Sequence, residues 1–228
     1  MSVGARRSSE SVRNMFAAIA RRYDLANRLL SGGFDLYWRR RAAVIVRQWA
    51  PHYLLDLASG TGDLALTLKR ACPDSTVVAV DFCEPMLAIA RRKGVKNLVV
   101  ADALHLPFAD HSFDVVTVAF GLRNMSSWFA ALNEMRRVVR AGGHLLILDF
   151  SVPRPPLRWF YRPYLHGLLP RLAMLLTRQK RAYEYLADSI EDFPHGEAMR
   201  LLLQEAGFVE AKCQPLSGGI VGLYTARR

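Results

Sequence analysis

The segment Asp56-Leu57-Ala58-Ser59-Gly60-Thr61-Gly62-Asp63 carries the residue types and spacing in this 228-residue chain that most directly suggest chemistry. A short apolar run, Tyr53–Ala58, reads as a buried strand, and a helical pattern over 63–71 follows it. Glycines between a strand and a helix let the backbone approach a ligand at the carboxyl end of a sheet. Gly60-x-Gly62-x-x-Ala65 also fits the dinucleotide fingerprint, and Asp81, 19 residues beyond Gly62, could then hold ribose hydroxyls. A plain tight turn between strand and helix is the alternative without a ligand.

Charge separates the candidate ligands. A dinucleotide seats its pyrophosphate at the helix N-terminus, where amides and the helix dipole favour anions. Asp63 occupies that first turn and Asp56 stands just before the loop. Each carboxylate would repel a pyrophosphate 4–6 Å away by about 1 kcal/mol even in a watery dielectric. S-adenosylmethionine has no phosphate. It carries a cationic amino group, a cationic sulfonium and one carboxylate that loop amides can hold, so the acid-flanked loop favours it over NAD. Asp81 at the end of the second apolar run is placed to accept two ribose hydroxyls. Asp102-Ala103 ends the third, where Asp102 could take the exocyclic amine of adenine. Helix capping and turn formation are the alternatives for these aspartates, but three acids at successive strand ends fit a cofactor pocket better.

The elements that must position these residues follow from periodicity and punctuation. Residues 9–23 read as an amphipathic helix with Val12, Met15, Phe16, Ile19 and Tyr23 on one stripe. Ser31-Gly32-Gly33 breaks it, and a second helix, Trp38 to Trp49, stops at Pro51. Buried strands are expected at Tyr53–Ala58, Thr76–Phe82, Asn97–Asp102, Phe113–Phe120 and His144–Phe150, with helices at 63–71, 84–93 and 127–140. Pro85 suits a first helical position, and Gly142-Gly143 is expected just after a last turn. Apolar strands alternating with helices imply a parallel sheet covered on both faces. A final helix, Gly196–Ala206, precedes two β-like runs, Phe208–Gln214 and Ile220–Ala226, joined as an antiparallel hairpin at the sheet edge by Ser217-Gly218-Gly219. The expected organisation is one α/β domain with a doubly wound sheet: a helical lid over 1–50, a cofactor-binding core over 51–150, an inserted helical cover over 151–195, and the last helix and hairpin over 196–228.

Composition sets the boundaries on function. At 51% hydrophobic and 22% charged, the chain can bury a real core, which excludes disorder over most of its length. No stretch approaches the roughly 18–20 uncharged apolar residues of a membrane span, and the N-terminus lacks the apolar region of a secretory signal. Cys72, Cys83 and Cys213 have neither metal-type nor redox-type spacing, which fits free thiols in a reducing cytoplasm, and the histidines likewise suggest no metal. The net charge of +11 concentrates in residues 151–182, where seven basic residues and no acid are interleaved with Trp159, Phe160, Tyr161, Tyr164, Leu168, Leu169, Leu172, Met174, Leu175 and Leu176. That mixture suits an interfacial element on anionic lipid, or a solvated basic face over a packing helix. Nucleic acid ranks lower as a partner, since neither an RNA-recognition motif nor a separate basic domain is visible.

Over nearly its whole length, Val12 to Tyr224, the chain resembles the ubiquinone/menaquinone biosynthesis C-methyltransferase family. The resembling segments are Met15-Phe16, Ile19-Ala20 and Tyr23-Asp24-Leu25-x-Asn27, then Asp56–Asp63 and Asp102-Ala103-x-x-Leu106-Pro107-Phe108. They continue with Phe120-Gly121-Leu122-Arg123-Asn124, Gly142-Gly143, Tyr183-x-Tyr185-Leu186-x-x-Ser189-Ile190-x-x-Phe193-Pro194 and Gly218-Gly219-Ile220-Val221. The resemblance implies a class I S-adenosylmethionine-dependent methyltransferase fold, Rossmann-like, with a mostly parallel seven-stranded sheet and a C-terminal antiparallel hairpin. It implies methylation of a ring carbon of a polyprenylated quinol, with demethylmenaquinol the leading substrate and a benzoquinol the alternative. Thr61, Asp81, Asp102 and Ala103 match positions that hold the cofactor in that family. Ala119 departs from it, because many members carry Ser just before the Phe120–Asn124 segment.

For such a reaction the enzyme must align and activate a ring carbon. With a phenol pKa of about 10, ionising the adjacent hydroxyl costs roughly 4 kcal/mol at pH 7. A guanidinium beside the oxygen lowers that cost. Arg123 is the expected cation, with Asn124 orienting the other hydroxyl. Tyr183 is the candidate proton relay, ahead of Asp24, Asp188 and His195. Two other classes stay open on sequence: a basic RNA methyltransferase and a non-catalytic lipid-surface protein. The expected location is cytoplasmic, with peripheral contact at the inner face of the membrane, and a homo-oligomer is left open.

Overall fold

Val- and Leu-rich runs with few polar breaks pair as parallel strands, because both of their faces must be covered. The computed structural model describes residues 9–169, 171 and 180–228, with residues 9, 21 and 180–184 described at the backbone alone. The strands are β1 (Tyr53–Leu57), β2 (Thr76–Asp81), β3 (Asn97–Val100), β4 (Phe113–Ala119), β5 (Val139–Phe150), β6 (Val209–Leu216) and β7 (Val221–Arg227), in the order β3-β2-β1-β4-β5-β7-β6. The first five are parallel, and β7 runs antiparallel between β5 and the edge strand β6.

Strand alternation sorts the core into two layers. On one face Leu55, Leu57, Val116 and Ile147 pack against α5 (Trp128–Val138) and the helix Glu197–Glu205. On the other, Leu54, Val115, Leu146 and Leu148 pack against α2 (Phe34–Gln48) and α3 (Asp63–Ala71), while α4 (Glu84–Arg92) contributes Ala90. Helix α1 (Ser9–Leu30) meets the insertion instead. Its Ile19 and Ala26 form a separate small core with Tyr161 of α6 (Leu157–Pro163), Leu165 of the π-helical turn Tyr164–Leu168, and Ala187 and Ile190 of α7 (Lys180–Asp192). The helix Glu197–Glu205 is then α8. Leu172, Met174, Leu175, Leu176 and Arg178 of the expected interfacial element lie outside the described residues.

Two boundaries differ from the sequence pattern for physical reasons. Gly142-Gly143 lies inside β5 instead of closing α5, which ends at Val138 with an extended Val139. The β4–β5 register shifts between Phe113 and Val115. A Cβ on Gly143 would stand 2.7 Å from the Asp114 carbonyl oxygen, so the irregular strand needs a glycine there. Strand β3 stops at Val100, and Asp102 lies beyond it in a turn where Oδ1 accepts the Leu104 amide at 3.0 Å.

Candidate active site

Strand order reverses between β1 and β4, the switch point at which open α/β sheets bind ligands. The loops leaving these two strands flank the crevice. Ala58 and Phe120, the first residue after each strand, both adopt positive φ, 50° and 58°. The loops approach so closely that a Cβ on Gly121 would lie 2.5 Å from that of Ala58. Gly62 N-caps α3 with φ 79°, and a Cβ there would meet Val95 Cγ2 at 2.7 Å.

Asp56 is fully buried beside Thr117, its β4 register partner, whose hydroxyl donates to Oδ1 at 2.8 Å. Burial pushes the Asp56 carboxyl up to about 7. Its Oδ2 and the Ser59 hydroxyl, both lining the cleft, are buried with no hydrogen-bond partner among the described residues. Asp81 accepts the Gly60 amide on Oδ2 and the Cys83 amide on Oδ1, each at 2.8 Å, and burial raises its pKa. Gly60, Thr61, Asp102, Ala103 and Ala119 complete this part of the lining. Arg39 is the one cation among the described lining residues. Unpartnered acceptors beside two buried carboxylates fit a cationic nucleoside cofactor.

The acidity of the rim is smaller than the sequence suggests, because Asp63 is not bare. Lys93 Nζ lies 2.5 Å from Asp63 Oδ1 and 2.6 Å from Asp24 Oδ2. Asp24 Oδ1 accepts the Thr61 hydroxyl at 2.5 Å. The lid helix is therefore latched to the glycine loop, and Asp24 is engaged there instead of standing over a substrate.

A second cavity of about 540 Å³ adjoins the cleft. Its walls are mostly apolar, from Ile19 and Leu30 of the lid to Leu165, Leu169 and Ile190 of the insertion. Cleft and chamber share Phe16, Tyr23, Arg39, Phe120 and Asn124. Arg123 reaches the chamber, but its Nη1 is 2.7 Å from the fully buried Asp149 and also donates to the Phe120 carbonyl. Its charge is thus matched one to one. Asn124 is held at both ends, with Nδ2 donating to the Phe120 carbonyl at 3.3 Å and Oδ1 accepting the Tyr185 hydroxyl at 3.0 Å. Sequence reasoning passed over Tyr185, since nothing in the pattern ranks it against Tyr183 two residues earlier. The Tyr183 side chain lies outside the described residues. Asp188 and His195 line neither cavity.

A doubly wound sheet with this crevice is a class I S-adenosylmethionine-dependent methyltransferase fold. A solved S-adenosylmethionine-dependent methyltransferase of Thermotoga maritima superposes with a TM-score of 0.68 over 94% of this chain and 98% of its own, at 21% identity. The particular family follows from sequence: the model of the ubiE/COQ5 methyltransferase family matches residues 4–228, and the chain belongs to it. The demethylmenaquinone methyltransferase of Thermus thermophilus is 48% identical, covering 94% of this chain and 100% of its own. That of Deinococcus radiodurans is 42% identical, covering 94% and 91%. The ubiquinone/menaquinone biosynthesis C-methyltransferase of Geobacter sulfurreducens is 40% identical, covering 96% and 89%.

Proposed function

We propose that this methyltransferase converts a demethylmenaquinol to a menaquinol by methylating a ring carbon of the polyprenylated naphthoquinol. The observation that carries this reading is the shared wall. A cleft suited to S-adenosylmethionine opens onto an apolar chamber of about 540 Å³ large enough for a bicyclic ring and the first part of a prenyl chain. Asp56, Gly60, Thr61, Gly62, Asp81, Asp102 and Ala103 would hold the cofactor, which supplies a methyl group on a sulfonium that is already a good leaving group. Holding the ring in line with that methyl is the protein's main contribution. Asn124, fixed by Phe120 and Tyr185, is placed to orient a quinol hydroxyl. The Arg123–Asp149 pair fixes the turn Leu122–Asn124 that presents it. Phe16 and Phe120 exclude water at the junction, and Tyr183 is the proposed relay for the phenol proton.

The chamber mouth supports peripheral contact with an anionic membrane. Phe34 and Phe160 line the chamber and are 54% and 73% exposed, beside Trp159 at 69%. Arg154, Arg158 and Arg162 flank them, with Arg162 partly committed to Glu191 at 3.0 Å. Among the described residues no helix is long and apolar enough to cross a membrane. Incubation with methyl-labelled S-adenosylmethionine and two reduced quinols, one naphthalenic and one benzenoid, tests the reading. Label should enter the naphthoquinol faster; label in neither quinol would refute it.

A further inference from the structure

We infer that Arg39, on the lid helix α2, is the guanidinium that stabilises the quinol's phenolate, an assignment that rests on the quinol reading above. Three observations single it out. Among the described lining residues it is the one cation that touches both the cofactor cleft and the chamber, so it stands where the ring must meet the methyl group. It is buried, with its guanidinium carbon 5.3 Å from the centroid of the Phe120 ring on the same shared wall. Its charge is also only half matched.

That last point separates it from Arg123. Asp35 receives Arg39 Nη1 at 2.7 Å and lies 3.2 Å from Arg28 Nε, so one carboxylate serves two guanidiniums and a net positive charge remains. Among the described residues the Arg39 hydrogen bonds run through Nη1, to the Asp35 carboxylate and carbonyl, just as those of Arg123 run through its Nη1 to Asp149 and the Phe120 carbonyl, so the shared carboxylate is what separates the two. Arg123 has Asp149 to itself. On the cofactor side Asp56 feels the Arg39 charge, and the cleft carboxylates Asp56, Asp63, Asp81 and Asp102 oppose a phenolate, an effect the cationic cofactor offsets. Tyr161 and Tyr164 in the chamber wall stay neutral, since burial holds both hydroxyls above the usual range, and Tyr23 and Tyr185 line the same chamber. When the quinol O–H bond breaks, its proton leaves to solvent and the electron pair stays on the oxygen beside Arg39. The ring carbon then takes the methyl group and loses its own proton as the oxygen regains one.

The test is the pH dependence of single turnover at saturating cofactor, with a reduced naphthoquinol, in the wild type and in Arg39→Gln, Arg39→Lys, Arg28→Gln and Arg123→Gln. A guanidinium lowers a neighbouring acid's pKa by about 1–3 units. Arg39→Gln should therefore move the ionisation limb up by at least about one pH unit, with turnover about tenfold lower at pH 7 and converging on wild type in alkali. Arg39→Lys should return most of the shift. Arg28→Gln, which leaves Asp35 to neutralise Arg39 alone, should move the limb the same way by a smaller amount, and it serves if Arg39→Gln does not fold. A limb unmoved in Arg39→Gln or in Arg28→Gln, or moved only in Arg123→Gln, would overturn the assignment. Absence of wild-type turnover on any quinol would instead remove the reading beneath it.

Discussion

Asp56 should make cofactor binding proton-linked in the neutral range. Its carboxyl rises from an ordinary value of 3.8 to about 7 because the site is buried, so about half of the molecules are protonated there at pH 7. Holding the carboxylate ionised in the ligand-free fold costs about 4 kcal/mol, from a little over three pH units at 1.36 kcal/mol each. A cationic cofactor selects the ionised form. Its affinity should fall about fivefold between pH 7 and pH 6, and about tenfold for the next unit down, with about half a proton released per cofactor bound at pH 7. Without cofactor the sign is opposite: the folded state holds the extra proton between the two pKa values, so stability declines as pH rises from about 4 to 7. Titration calorimetry of S-adenosylmethionine in two buffers of different ionisation enthalpy reads the proton count directly. Asp56→Asn should abolish it. Affinity independent of pH between 5.5 and 7, or proton release that survives Asp56→Asn, would refute the reasoning.

The other predictions concern the frame around the site. Asp24→Asn, which loosens the lid from Lys93 and Thr61, should weaken cofactor binding by about 1 kcal/mol, seen as faster dissociation in stopped flow. Gly121→Ala forces the two crevice loops apart and should cost about 1–3 kcal/mol in denaturant unfolding. Asp149→Asn leaves the Arg123 charge buried and unmatched, and should cost about 3–5 kcal/mol. Trp159→Ser with Phe160→Ser should lower co-sedimentation with anionic vesicles and leave S-adenosylhomocysteine affinity unchanged, since neither residue lines the cofactor cleft.

What was legible in the sequence is what depends on local chemistry. The glycine loop, the alternation of apolar runs with helices, and the hairpin turn at 217–219 are written in residues close together along the chain. The long-range pairs are not. Arg39 stands in the run Arg39-Arg40-Arg41, which reads as uniformly basic; only the packing of α2 over the β1–β4 face buries the first of the three and leaves the second exposed. Asp149 reads as the end of a strand, and its pairing with Arg123 depends on the β4–β5 register. The same holds for Lys93, which compensates Asp63 from 30 residues away. The chamber is a product of lid and insertion packing together, and no motif announces it.

The most direct measurement is the structure of a ternary complex with S-adenosylhomocysteine and a non-reactive naphthoquinol bearing a short prenyl tail. The quinol ring should lie against Arg39, Phe120 and Asn124, with its methyl-accepting carbon turned to the cofactor sulfur and its tail along Leu165 and Leu169. A ring bound outside the chamber, or one separated from the cofactor by that wall, would contradict the account.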